Sequence, residues 1–368
     1  MKYINVLHVY RTCYPVTKGG VEEVIRTITE GCKTLGVNSR VLALTDNSTE
    51  QVDENGIELF LVKKNFEIAS NSFSLEMISV FKVLSRWADI IHFHYPWPSG
   101  DLLSFISSKP YLVTYHSDIV KQKTLKFLYN PVEFFFLRRA KFIVATSPNY
   151  AMSSSNLIKY KAKVRVIPLA LEEKNFEFSD FSRFEYWKNK LGSDFFLFVG
   201  VLRYYKGLDY LIEAVRTTNI HVVIAGDGPE RKRLEAKVHE LGISNIIFLG
   251  FISDEDKTSL LKLCRAFVFP SHLRSEAFGV SLLEAQLYSK PIISCDVGTG
   301  SSYVNLDGVT GLVVPPKDPS ALRNAINILH YNNELCVMYG NNGRKRFDDL
   351  FRNEKQCNEY VKLYNELV

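Results

Sequence analysis

The chain has 368 residues, 46% of them hydrophobic and 23% charged, with 19 Tyr and 25 Phe and a formal net charge of +5. That length exceeds one typical core and suits two domains of roughly 100 to 200 residues each, and the composition is that of a packed globular chain with no disordered bulk. The mild positive charge suits anionic small molecules or anionic lipid and makes no demand for nucleic acid.

Met1 to Tyr10 runs into a short β-like stretch without the apolar segment and cleavage site of a signal peptide. No apolar run reaches the roughly 18 to 20 residues that span a bilayer. Cys13, Cys32, Cys264, Cys295, Cys336 and Cys357 lie far apart, with no Cys-x-x-Cys pair and no histidine at zinc-ligand spacing. A cytoplasmic protein with reduced thiols is expected, with contact at the inner face of the cytoplasmic membrane left open.

Short β-branched or aromatic runs then alternate with amphipathic stretches, the pattern of parallel sheets with crossover helices. In the first half the expected strands are Ile4 to Val9, Arg40 to Leu44, Ile57 to Val62, Ile90 to Phe93, Tyr111 to Tyr115, Phe142 to Ala145 and Val164 to Ile167, with Val21 to Leu35 helical. Glu172 to Trp187 is polar, aromatic and acidic without sustained periodicity and follows Ile167-Pro168, which places an interdomain linker there. The second half restarts at Phe195 to Val199 and continues with strands at His221 to Ala225, Ile246 to Leu249, Ala266 to Phe269, Pro291 to Ser294 and Leu312 to Val314. Helices are expected at Leu322 to Leu329 and Asn353 to Leu367. The expected division is residues 1–175, 188–350 and a closing helix over 351–368 that packs back towards the first domain.

Ligands of open α/β sheets sit beyond the carboxyl ends of the strands, so the loops there carry the chemistry. Gly19 and Gly20 follow the first strand and open a helix, where backbone amides can meet a phosphate; an ordinary glycine turn is the alternative. The spacing is not a Gly-x-Gly-x-x-Gly dinucleotide fingerprint, although Asp46 lies where a ribose-binding acid would be found. His116, after Tyr115, can bond a sugar hydroxyl or shuttle a proton, or can simply cap the core edge. His92 and His94 read as structural residues. In Gly200 to Gly207, Arg203 and Lys206 stand beside a helix N-terminus, a pairing suited to a diphosphate. In Pro270 to Ala285, Glu276 precedes a helix and Glu284 is expected about two turns inside it. A spacing of eight brings the two within about 80° on the helical wheel. Glu276 can accept from a transferred sugar, the amides of Phe278, Gly279 and Val280 can meet phosphate or sugar oxygens, and Glu284 can hold ribose.

Glu276 and Glu284 with seven residues between them, together with Gly19-Gly20-Val21-Glu22, resemble family 4 of the retaining glycosyltransferases. The likeness runs through nearly the whole chain. The runs Tyr115 to Val120, Ser147 to Tyr150, Arg203 to Gly207 and Ser275 to Gly279 resemble bacterial mannosyltransferases of O-antigen polysaccharide and lipopolysaccharide biosynthesis. The resemblance implies the GT-B fold: α/β, with two Rossmann-like α/β/α domains facing each other across a cleft. It implies a nucleotide-sugar donor, GDP-mannose, used as co-substrate with no cofactor, no bound metal and retention of configuration. Carried onto this sequence, Gly19 and Gly20 line the phosphates, His116 contacts the donor sugar, Lys206 binds the diphosphate, Glu276 sits by the reacting sugar and Glu284 holds ribose. One departure is Val201, which stands where the family has arginine, with Arg203 two positions on.

The resemblance places the acceptor, a lipid-linked oligosaccharide, on the first domain. There Lys121, Lys123, Lys126, Arg138 and Arg139 flank Phe134-Phe135-Phe136-Leu137, a basic and aromatic stretch able to touch an anionic bilayer or to bury its aromatic face within the domain. Other donors (GDP-rhamnose or a UDP-sugar), a nucleotide-sugar epimerase, an NAD-dependent oxidoreductase and a sugar-nucleotide sensor without turnover are the competing readings.

Overall fold

The computed structural model describes residues 3–17, 19–68, 71–119, 123–176 and 180–368, with no side-chain description at 123–126 and 175. The chain forms two compact units, Met1–Ala170 with Asn353–Val368, and Leu171–Arg352.

The first unit holds an eight-stranded sheet in the order Val164–Val166, Phe142–Ala145, Tyr111–Tyr115, Ile90–Tyr95, Ile4–Val9, Val37–Thr45, Ile57–Lys63, Glu50–Glu54. Its central strands Ile90–Tyr95 and Tyr111–Tyr115 are buried at every position, as parallel strands covered by helices on both faces must be. Glu50–Glu54 runs antiparallel along one edge. It carries no apolar alternation by which sequence could have shown it, and its acids discourage pairing with another chain. A small hairpin, Phe66–Ile68 with Asn71–Phe73, stands apart from the main sheet. Helix Gly20–Lys33 buries Val24, Ile25, Ile28 and Cys32 and packs against the closing helix Asn353–Asn365, which buries Cys357, Tyr360, Leu363 and Tyr364.

The second unit holds a six-stranded parallel sheet in the order Ile246–Gly250, His221–Ala225, Phe195–Val199, Ala266–Phe269, Ile292–Cys295, Gly311–Val314. Phe196, Phe198, Leu211, Ile224, Val268, Ile293 and Ile326 lie at its core. In this order the chain winds outward in both directions from Phe195–Val199, and in the first unit it does so from Ile4–Val9. At such reversals the loops after neighbouring strands part, and a crevice forms.

Residues 172–187 are not the linker expected from their polar composition. They fold into a turn, Glu173–Phe176, and the start of helix Phe181–Leu191. Asp180 caps that helix by accepting from the amides of Ser182 and Arg183. The helix is anchored by buried Trp187, whose Nε1 donates to Asp256 at 2.7 Å, and by the Arg183–Asp256 ion pair at 2.5 Å. One buried aromatic is too narrow a stripe to show as periodicity. The chain passes between units at Ala170–Leu171, and the second unit extends to Arg352, so both differ from the boundaries at 175, 188 and 350.

Candidate active site

In the second unit, the two loops that leave the paired strands Phe195–Val199 and Ala266–Phe269 bring Lys206 and Glu276 together. They touch directly. The amide of His272 donates to the Tyr205 carbonyl at 3.0 Å, and Gly207 lies so close to Pro270 that a Cβ there would stand 1.9 Å from its carbonyl oxygen. Gly207 also has φ +72, a left-handed conformation that favours glycine. The result is an ion pair of 2.5 Å between Lys206 Nζ and Glu276 Oε2, in which the two residues are only 9% and 8% exposed. Ser271 Oγ donates to the same carboxylate oxygen at 3.0 Å, and the ammonium lies 4.9 Å from the centre of the Phe269 ring. Lys206 is therefore a cation held by a carboxylate, ready to be shared with an anionic ligand.

Glu284 lies one turn inside helix Val280–Leu287, not two. The helix starts late because Gly279, at φ +89, turns the backbone at its N-cap, where a Cβ would meet the Phe269 ring at 2.8 Å. Glu276 is thus in a loop, and no helical wheel relates the two acids. Phe278 is buried against Phe351, and Gly279 at the N-cap supplies no side-chain cap to the helix. Glu284, 8% exposed, is paired at 3.0 Å with Lys257 of helix Asp254–Leu263. Burial lowers the Lys257 pKa, but the carboxylates of Glu284 and Asp254 outweigh that and hold it above its usual value. Lys257 sits among Asp254, Glu255 and Asp256, and nothing in its local sequence marks it as Glu284's partner. Arg203 is exposed, and among the described residues it makes no ion pair.

In the first unit, Gly19 is the N-cap of helix Gly20–Lys33 and has no side-chain cap, and both glycines are exposed. Lys18, beside them, lies outside the described residues. Asp46 is exposed and spent on Lys64 at 2.8 Å. His116 is 7% exposed, and its Nε2 lies 3.0 Å from His94 Nδ1. His94 Nε2 in turn lies 3.1 Å from His8 Nδ1. His92 bonds the Tyr364 hydroxyl at 2.8 Å and Thr114 at 2.7 Å. Burial lowers the pKa of all four rings, those of His8 and His116 to about 3, so they are neutral at pH 7. His8, His92 and His94 offer nitrogens within 4.8 Å of one another. His92 and His94 each engage both nitrogens in hydrogen bonds with neighbouring side chains.

Helix Lys123–Arg139 divides its apolar residues. Phe136 and Leu137 are buried, whereas Phe127, Leu128 and Phe135 are 75%, 73% and 52% exposed. Exposed Leu102, Phe105 and Ile106 lie on the neighbouring turn Leu102–Ile106, with Arg139 over the Phe105 ring. Lys121 and the side chains of Lys123 and Lys126 lie outside the described residues. No helix among the described residues is long and apolar enough to cross a membrane.

Residues 18–173 match the family model described as Glycosyltransferase Family 4, and residues 181–346 match that of Glycosyl transferases group 1. The chain is 44% identical to O-antigen chain mannosyltransferase C of Escherichia coli, over 99% of each. It is also 44% identical to the D-rhamnosyltransferase WbpZ of Pseudomonas aeruginosa, over 95% of this chain and 92% of that one. Among solved structures, sucrose-phosphate synthase of Thermosynechococcus elongatus superposes with a TM-score of 0.83 at 21% identity, over 99% of each chain. Anabaena HepE, in complex with UDP and glucose, gives 0.81 at 19% identity, over 99% of this chain and 100% of that one.

Proposed function

The chain belongs to the glycosyltransferases, with family 4 and group 1 regions on the GT-B fold, and on that premise we propose that it moves mannose from GDP-mannose onto a growing lipid-linked glycan such as O-antigen polysaccharide. We infer further that it retains anomeric configuration and uses no bound metal. A nucleotide-sugar donor and a glycan acceptor follow from the family; the particular sugar and lipid are this proposal's own. The Lys206–Glu276 pair carries the reading.

When the donor binds, its diphosphate takes a share of the Lys206 ammonium, and Glu276, steadied by Ser271, accepts from the sugar hydroxyls. Arg203 adds a second cation, and the amides of Phe278 to Val280 meet phosphate oxygens; in the first unit, the exposed Gly19 and Gly20 are the candidates for phosphate contact. Glu284, held by Lys257, accepts from the ribose hydroxyls, and His116 contacts the sugar. The bond between the anomeric carbon and the phosphate oxygen breaks while the acceptor oxygen bonds to the same face of that carbon. The acceptor proton passes to the departing phosphate oxygen, whose charge Lys206 stabilises. The exposed Phe127, Leu128 and Phe135, with basic residues close to them in the sequence, support peripheral contact with an anionic membrane that holds the acceptor.

The second reading is GDP-rhamnose, favoured by a D-rhamnosyltransferase relative at the same 44% identity. Purified chain is assayed for transfer from GDP-mannose, GDP-rhamnose and UDP-glucose to a lipid-linked glycan, with and without EDTA. The expected result is an α-linked mannosyl product that survives chelation, and at least a tenfold loss of donor affinity in Glu284→Ala and Lys206→Ala. Transfer from GDP-rhamnose alone changes the donor, transfer from UDP-glucose alone removes the guanine nucleotide, and a β-linked product overturns retention.

A further inference from the structure

His8 on Ile4–Val9, His94 on Ile90–Tyr95 and His116 beyond Tyr111–Tyr115 step across three adjacent strands of the first unit. Their nitrogens meet in sequence at 3.1 Å and 3.0 Å. The rings of His94 and His116 are stacked at 5.3 Å between centroids, and His8 and His94 are 0% and 1% exposed. At the inner end, His8 Nε2 is buried and has no hydrogen-bond partner among the described residues. At the outer end, the bond to His94 occupies His116 Nε2 and leaves Nδ1 as its remaining nitrogen.

Proton counting constrains this chain sharply. Three neutral imidazoles carry three ring protons, and each N–H···N bond uses one. If His8 donates to His94 through Nδ1, then His94 donates to His116 through Nδ1, and the third proton sits on His116 Nδ1. If His116 donates inward through Nε2, then His94 donates to His8 through Nε2, and the third proton sits on His8 Nε2. Any mixed arrangement leaves His94 either without a ring proton or doubly protonated in a site where burial disfavours charge. The neutral chain therefore has two states, with the same tautomer on all three rings.

We propose that His94, backed by His8, is a positioning residue that fixes the ring plane of His116 and couples its tautomer to the rings behind it, so that His116 meets the donor sugar through Nδ1 alone, as donor in one state and acceptor in the other. The functional half of this rests on His116 contacting the sugar, as read above. Among the described residues His8 Nε2 lacks a partner in both states, as a bare acceptor in the first and as an orphaned N–H in the second, and each costs free energy. A sugar hydroxyl, which both donates and accepts, can select either.

The test begins with long-range ¹H–¹⁵N correlation on histidine-labelled protein at pH 7, which reads each ring's tautomer and needs no donor. One shared tautomer on His8, His94 and His116 is expected; a differing tautomer or a charged ring among them overturns the coupling. The second arm measures sugar transfer from GDP-mannose. His94→Leu is expected to lower kcat at least tenfold, and His94→Asn, which can place an amide near the former Nδ1, to recover to within about threefold. In a His116→Ala background, His94→Leu is expected to cost nothing further; an equal loss there shows a merely structural role and overturns the positioning. If His94→Leu does not fold, the Asn variant and the correlation spectrum decide. If GDP-mannose is not turned over at all, the donor assignment fails while the tautomer result still stands or falls by itself.

Discussion

Glu284 would be expensive to bury alone, and Lys257 is what makes its position tenable. Removing one partner of a buried ion pair leaves an uncompensated charge, at a cost of about 3 to 5 kcal/mol. Lys257→Met is therefore expected to lower unfolding stability by about 3 kcal/mol and to weaken GDP binding. Adding Glu284→Gln should restore most of the stability and none of the binding. Urea unfolding and calorimetric titration with GDP check both halves, and a double variant that still binds GDP normally removes Glu284 from the ribose. Glu276, Lys206 and His116 can be singled out in the sequence because they stand in strand-end loops, whereas the spacing of eight puts Glu284 a turn too deep in its helix. Lys257 cannot be singled out, because its partner lies 27 residues away on another helix. Nor can the role of His94: alternation inside a strand marks a residue as buried and says nothing of which ring nitrogen faces which neighbour.

Among the elements, those with continuous apolar runs could be read directly, and Phe195–Val199, with four of its five residues buried, is bounded as its sequence suggests. Elements stabilised by few contacts were not. Glu50–Glu54 is held by its ladder to one neighbour, and Phe181–Leu191 by a cap and a single buried tryptophan. Helix Lys123–Arg139 shows why basic-aromatic composition leaves two answers open: it buries Phe136 and Leu137 within the unit and also exposes Phe127 and Leu128. Inserting that exposed pair into a bilayer would gain on the order of 3 to 5 kcal/mol. Flotation with anionic liposomes is expected to recover the wild-type chain, to lose most of it with Phe127→Ser and Leu128→Ser together, and to lose it with Lys121, Lys123 and Lys126 changed to Glu. Equal flotation of all three chains, or none of the wild type, rejects the membrane contact.

For the whole molecule, the decisive arrangement is that the first unit is discontinuous in sequence: Asn353–Val368 belongs with residues up to Ala170. Tyr364 and Tyr360 on the closing helix bond His92 and Thr114, so this helix seals the polar face on which the histidines lie. Ending the chain at Arg352 is expected to remove about 4 kcal/mol for each of the two tyrosines. Limited proteolysis should then degrade the first unit and spare Leu171–Arg352, and equal resistance of both units would show that the helix is dispensable. The same discontinuity sets an order of events during synthesis. At about 5 to 20 residues per second, a ribosome that has finished Ala170 works for roughly 10 to 35 s before it reaches Asn353. Throughout that interval the nascent first unit lacks the helix that covers its histidines, so this enzyme is most exposed to chaperones and proteases while its second half is still being made.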